Sequence, residues 1–148
     1  MQKETVKSIL EKAAGKENEA YLLYKNMAER VKDAQTKSIL DKFAADELKH
    51  KQVIENFELT DLKNHEIDET SRQGVSEYLT GESFSEQADF KDVLVYAAKR
   101  ERAACEFYRR MSASVDDFEL KGLFKWLARE ESKHKEEIEA LFWEIIYC

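Results

Sequence analysis

From Val6 to Val31 apolar residues recur at steps of three and four, with one step of seven from Ala13 to Ala20, through Leu10, Ala13, Ala20, Tyr24 and Met27. Such spacing keeps one stripe on one face of an α-helix and predicts a helix near residues 3–32. A second helix is predicted near 35–58, with Leu40, Phe43, Ile54 and Phe57 inward, after a short turn around Asp33. Residues 60–83 lose the periodicity and contain Gly74 and Gly81, so they read as a long connection able to cross a bundle, with one helical turn at Val75 to Leu79. Ser83 followed by Glu86 has the spacing of a capping box and opens a third helix near 84–113. Ser114 ahead of Asp117 repeats that pattern for a fourth helix near 117–146, with Leu127, Ile138, Leu141 and Ile145 inward.

The chain repeats itself. Residues 13–59 laid over 97–143 without a gap give 16 identities in 47 positions, at an offset of 84 residues. Two short hairpins joined by a long crossover predict an all-α, antiparallel four-helix bundle in a single domain, residues 1–148. Composition agrees: 37% of residues are charged, against about 25% in an average soluble protein, with four Gly and no Pro. A β-sandwich or barrel needs far more turn residues than this, and a doubly wound sheet needs Val/Ile-rich runs that are missing.

Net charge is −7 with no basic run, which removes the phosphate-neutralising surface of a nucleic-acid binder. No apolar stretch approaches the roughly 20 residues that span a bilayer, and the N-terminus has no apolar leader, so the expected setting is cytoplasmic, away from membrane. Cys105 and Cys148 form no Cys-x-x-Cys pair, which argues against zinc-ribbon, rubredoxin-type and thioredoxin-type sites.

The decisive residues are polar ones at core positions. Glu17 falls between Ala13 and Ala20 in the first stripe, and Glu101 falls among Leu94, Ala98, Ala104, Tyr108 and Met111. On the second helix the inward series runs Leu40, Phe43, Glu47, His50, Ile54, Phe57; on the fourth it runs Phe124, Leu127, Glu131, His134, Ile138, Leu141. Four carboxylates and two imidazoles therefore converge at mid-bundle, where a bare charge costs several kcal/mol. Two divalent cations would balance four Glu, each Glu-x-x-His gripping one ion from a single helix face. Small Ala13, Ala20, Ala44, Ala104 and Ala128 leave room. One His per metal among carboxylates favours iron or manganese, with zinc as an alternative. The bland alternative is a buried ionic network that only sets helix register. His65 has no upstream Glu and lies in the connection, where it reads as a surface residue.

Glu17-Asn-Glu-Ala20-Tyr-Leu-Leu-Tyr24 and Glu101-Arg-Ala-Ala104-Cys-Glu-Phe-Tyr108, with Glu47-Leu-Lys-His50 and Glu131-Ser-Lys-His134, resemble the motifs of the ferritin-like superfamily, specifically its rubrerythrin-like branch. The resemblance implies that Glu17, Glu47, His50, Glu101, Glu131 and His134 are ligands of a two-iron centre, with Tyr24 and Tyr108 donating hydrogen bonds to the carboxylates. It also implies an oxidoreductase of peroxidase or ferroxidase type. Two features depart from rubrerythrins proper: this chain ends at Cys148 without their rubredoxin domain, and Ala104 stands where they carry an additional Glu. Reduction of peroxide or dioxygen would therefore draw on an external electron donor.

The alternatives are an iron or manganese protein that binds or sequesters metal without turnover, and a bundle whose metals supply only folding energy. Trp143, Ile146 and Tyr147 beside Leu141 and Ile145 make the last helix apolar on more than one face, which predicts a homodimer.

Overall fold

Helix starts in this chain are set by oxygen-bearing side chains that accept otherwise unpaired amides. The structure is a computed structural model and describes residues 5–57, 78 and 89–147, with side chains to Glu144. Thr5 Oγ1 accepts from the Ser8 amide at 3.1 Å ahead of α1 (Val6–Arg30). Asp33 Oδ2 accepts from both the amide and the hydroxyl of Thr36 at 2.8 Å ahead of α2 (Ala34–Asn56). Asp89 caps α3 (Phe90–Ser114), and Asp117 Oδ2 accepts from the Leu120 amide at 2.9 Å to open α4 (Phe118–Tyr147).

The expected role of Ser114 is corrected by this arrangement. Ser114 is the last residue of α3, and its hydroxyl donates back to the Arg110 carbonyl at 2.7 Å. The chain leaves the helix at Val115 in extended conformation, so the residue next to the new helix, Asp117, takes the cap. Asp33 and Asp117 are 84 positions apart, so the repeat carries its caps in register. The third helix, expected to open near residue 84, starts instead at Phe90 with Asp89 as its cap; Ser83 and Glu86 themselves, His65 and most of the turn at Val75 to Leu79 lie outside the described residues, whereas Tyr78 is described and is helical.

Helices α1 and α2 form one close-packed hairpin, and α3 and α4 form the other; the hairpins meet through α1 against α3 and α2 against α4. All described elements are helices, and the architecture is the expected ferritin-like bundle of two helical hairpins. Between hairpins few backbones approach within 8 Å, because large side chains fill the gap.

The apolar core is in two parts. One joins Val6 to Ala14 with Ile54, Tyr78, the Ala104–Val115 face of α3 and Leu120 to Ala128. The other joins Ala20 to Ala28, Leu40 to Ala44, Val93 to Ala97, Ile138 and Leu141. Between them lies a polar layer. Burying each large apolar side chain contributes roughly 1.5–3 kcal/mol, so Tyr24, Phe43, Phe107, Phe124 and their neighbours on both sides supply the stability that lets a polar layer exist. Ala98, expected in the seam, is only partly buried and Ala97 takes the inward position; Val31 and Phe57, at helix ends, are also partly buried. Cys105 is buried and its thiol donates to the Ala128 carbonyl at 3.5 Å. Trp143 is exposed, whereas the side chains of Ile145, Ile146 and Tyr147 lie outside the described set. No described helix is long and apolar enough to cross a membrane.

Replacing either Asp33 or Asp117 by Ala should lower unfolding free energy by about 1 kcal/mol, measured by urea titration. Ser114→Ala should change it by less than about 0.5 kcal/mol. The reverse ranking would return the cap to Ser114.

Candidate metal centre

Each helix delivers its polar residues to the same level of the bundle, because each series keeps the three-four alternation through the polar positions. Glu17 of α1, Glu47 and His50 of α2, Glu101 of α3, and Glu131 and His134 of α4 all lie in the layer between the two apolar clusters. Five of the six are 0% exposed and His134 is 4% exposed. All six residues singled out in the sequence are thus brought together.

Their contacts are paired by the repeat. His50 Nδ1 donates to Glu131 Oε1 at 2.9 Å, and His134 Nδ1 donates to Glu47 Oε1 at 2.8 Å. The Tyr108 hydroxyl donates to Glu17 Oε1 at 2.6 Å, and the Tyr24 hydroxyl donates to Glu101 Oε1. Each of these bonds runs from one hairpin to the other, and each has its counterpart 84 residues away.

Four further residues complete the layer, and sequence reasoning missed their roles. His134 Nε2 lies 3.0 Å from Asp46 Oδ2, and His50 Nε2 lies 3.5 Å from Glu130 Oε1. Asp46 and Glu130 precede the inward Glu of α2 and α4, so the repeat itself, acidic at both positions, could have pointed to them. At His134 the Asp46 carboxylate on Nε2 keeps a proton there and turns the Nδ1 lone pair inward once the ring is neutral, whereas Glu130 stands at ion-pair distance from His50 Nε2 without a hydrogen bond. The third is Arg100. Its Nη1 donates to Glu131 Oε2 at 2.8 Å, Glu101 Oε1 at 3.0 Å and Glu47 Oε2 at 3.5 Å, while Nη2 lies 3.5 Å from Glu17 Oε2 and donates to the Tyr78 hydroxyl at 3.1 Å. Tyr78, the fourth, stacks on Phe107 with ring centroids 4.7 Å apart. The repeat equivalent of Arg100 is Lys16, which pairs with Glu19 at 3.2 Å, so periodicity gave no sign that one of these two cations turns inward.

Arg100 compensates the carboxylates from within the chain, in addition to any metal ions. Protons compensate them as well. Burial, then the charge of Glu17, pushes the Glu47 carboxyl up to about 7. Burial and the charge of Glu131 raise Glu101, and burial with the charges of Glu17 and Glu47 raises Glu131. Burial also pushes Glu17 up, but the hydrogen bond from Glu47 together with Arg100 and His50 outweighs it and holds Glu17 well below the usual carboxylate range. Burial disfavours charge on the imidazoles; the carboxylates override it, raising His134 to about 10 and His50 further. Burial and neighbouring carboxylate charges keep Tyr24 and Tyr108 protonated, as donors.

Two overlapping sets of donor atoms can each hold a metal ion: Glu17, Glu47, His50 and Glu131, and Glu47, Glu101, Glu131 and His134, with the atoms of a set within 4.8 Å of one another. Glu47 and Glu131 belong to both. Glu17 Oε2, Glu101 Oε2 and His50 Nε2 are buried without a hydrogen-bond partner. Buried oxygens left unpaired inside a carboxylate cluster are what a cation would satisfy, so the residues fit a pair of divalent ions.

Stability of the chelator-treated protein should fall as pH rises from about 5 to 9. His134, raised from 6.5 to about 10, contributes stability that is complete below its unfolded value and lost as pH climbs through 10; Glu47, raised from 4.5 to about 7, binds its proton in the fold and loses that contribution as pH climbs through 7. Glu17 is already ionised in both states across this range and adds no slope. Divalent-metal affinity should rise over the same range, because ions displace these protons. Urea midpoints with and without metal check both signs; parallel slopes would separate the layer from metal binding.

A family model described as Rubrerythrin matches residues 8–89 and 92–145, spanning both hairpins and every residue of the cluster. No curated protein and no solved structure matches the chain. With the match extending over nearly all of the sequence, the chain belongs to the rubrerythrin family.

Proposed function

We propose that the bundle holds two iron ions and reduces hydrogen peroxide or dioxygen with electrons from an external donor. The observation that carries this reading is the overlap of the two donor sets at Glu47 and Glu131 in a fully buried layer. Glu47 and Glu131, common to both sets, would serve both ions, Glu17 with His50 and Glu101 with His134 would complete the two sets, and manganese or zinc would be the competing occupants. Iron held there as Fe(II) would supply the two electrons that, with two protons, convert one hydrogen peroxide to two waters.

The protein side of the work follows from the contacts. Tyr24 and Tyr108 donate to Glu101 and Glu17 and fix which carboxylate oxygen is left for metal. Asp46 and Glu130 orient the imidazoles from outside the layer. The apolar clusters on both sides exclude bulk water from the layer, which strengthens every electrostatic contact within it. A second reading, binding or sequestration of iron or manganese without turnover, is favoured by the same burial, since a closed layer protects an ion as well as it positions one.

Elemental analysis of protein purified without added metal should give about two iron atoms per chain, the load that balances four carboxylates. Under anaerobic stopped flow, Fe(II)-loaded protein should be oxidised by peroxide faster than free Fe(II), and Glu47→Gln should lose that acceleration. Gln mimics the protonated Glu47 of the metal-free protein, so the fold is retained while a carboxylate common to both sets is removed. Oxidation no faster than that of free iron would leave the binding reading in place and end the catalytic one.

A further inference from the structure

Arg100 touches all four carboxylates of the layer at once. Nη1 reaches Glu47, Glu101 and Glu131, Nη2 reaches Glu17, and the side chain is only 8% exposed. We infer that Arg100 is an internal cation that metal ions displace: it balances the carboxylates while the protein is metal-free, opposes entry of the first ion, leaves the second unopposed, and so makes the two ions enter as a pair. The inference rests on the two-metal reading of the cluster.

Three physical points carry it. A guanidinium has donors only and stays charged, so it can neither become a ligand nor neutralise itself by losing a proton beside an incoming cation. Four ionised Glu and two divalent ions sum to zero, whereas retaining Arg100 among them leaves a buried +1. The oxygens also conflict: Glu47 and Glu131 belong to both donor sets, and Nη1 holds an oxygen of each, so an ion entering either set must take these carboxylates from Arg100. Once that exchange is made the guanidinium has lost the partners it shares with the other set.

Arg100 is placed to leave. It stands at the edge of the inward face of α3, partly exposed as a whole residue, and its flexible stem carries the charge inward from there. The outer nitrogen is held by the Tyr78 hydroxyl, itself braced against Phe107. Lys16, at the equivalent point of the repeat, makes an ion pair with Glu19 on its own helix, so a cation at this register can take a carboxylate partner from its own helix.

The test titrates chelator-stripped full-length protein with Co(II) against a chromophoric chelator, comparing wild type with Arg100→Gln and His50→Ala. Wild type should take up two ions cooperatively. Arg100→Gln should bind the first ion at least about tenfold more tightly, within the usual span of coupling between sites, and take up the two in separate steps. Metal-free Arg100→Gln should melt several degrees below wild type and match it once loaded.

A second measurement needs no stable glutamine variant. In wild type the Arg100 Nε–H resonance, assigned by its loss in Arg100→Lys, should shift and exchange faster with water on addition of two equivalents of Zn(II). Two-ion uptake that depends on His50, together with unchanged first-ion affinity in Arg100→Gln or an unmoved Arg100 resonance, would overturn the displacement while sparing the metal site. Uptake indistinguishable between wild type and His50→Ala would overturn the site itself.

Discussion

Everything in this bundle is organised around keeping four carboxylates out of water. An unpaired buried ion costs several kcal/mol, and a domain's whole stability is about 5–15 kcal/mol, so four such groups without compensation would unfold it. The layer answers with every means available to a protein. Arg100 brings a fixed charge, His50 and His134 bring charges that the carboxylates themselves stabilise, Glu47 retains a proton near neutral pH, and Tyr24 and Tyr108 donate hydrogen bonds. Each is reversible, and on the displacement inferred for Arg100 the protons and the guanidinium would give way to ions while the helices that hold the carboxylates stay in place.

Much of this was legible in the chain because helical periodicity is indifferent to polarity. Glu17, Glu47, His50, Glu101, Glu131 and His134 kept the stripe spacing, and a charged residue in an apolar stripe is either an error or a site. The 84-residue repeat added register, pairing each residue with a counterpart and carrying Tyr24 and Tyr108 with it. What periodicity could not reveal was the reach of a long side chain from the flank of the stripe. Arg100 sits beside Glu101 as Lys16 sits beside Glu17, and only three-dimensional packing, with Tyr78 arriving from the connection, decides that the first points inward. The helix starts had a similar limit. Ser114 and Asp117 are both good capping residues, and the choice between them depends on where the preceding helix stops.

Placing the layer at mid-bundle has its own consequence for chemistry. With apolar clusters above and below, the cluster's charge state is set by its own members rather than by solvent, so altering one group shifts the rest. The same isolation explains the opposed behaviour of Glu17 and Glu47, two carboxyls of like chemistry that share a proton because both cannot comfortably ionise side by side.

The layer also joins the two halves, together with the apolar clusters on either side of it, each of which draws on both hairpins. Within each hairpin the helices pack closely, but between hairpins the backbones stand apart and the bonds Tyr24 to Glu101, Tyr108 to Glu17, His50 to Glu131 and His134 to Glu47 cross the gap. Neither hairpin can satisfy its own buried polar groups, so docking the hairpins and assembling the site are one event. Each crossing bond is matched by its repeat equivalent in the opposite direction, the reciprocal pattern by which two identical hairpins would pair about a two-fold axis. A single chain carrying both copies escapes the requirement that they remain identical. Arg100 and Lys16 are where that freedom is visible: one guanidinium suffices to touch all four carboxylates, and a second inward cation from Lys16 would compete for the same oxygens.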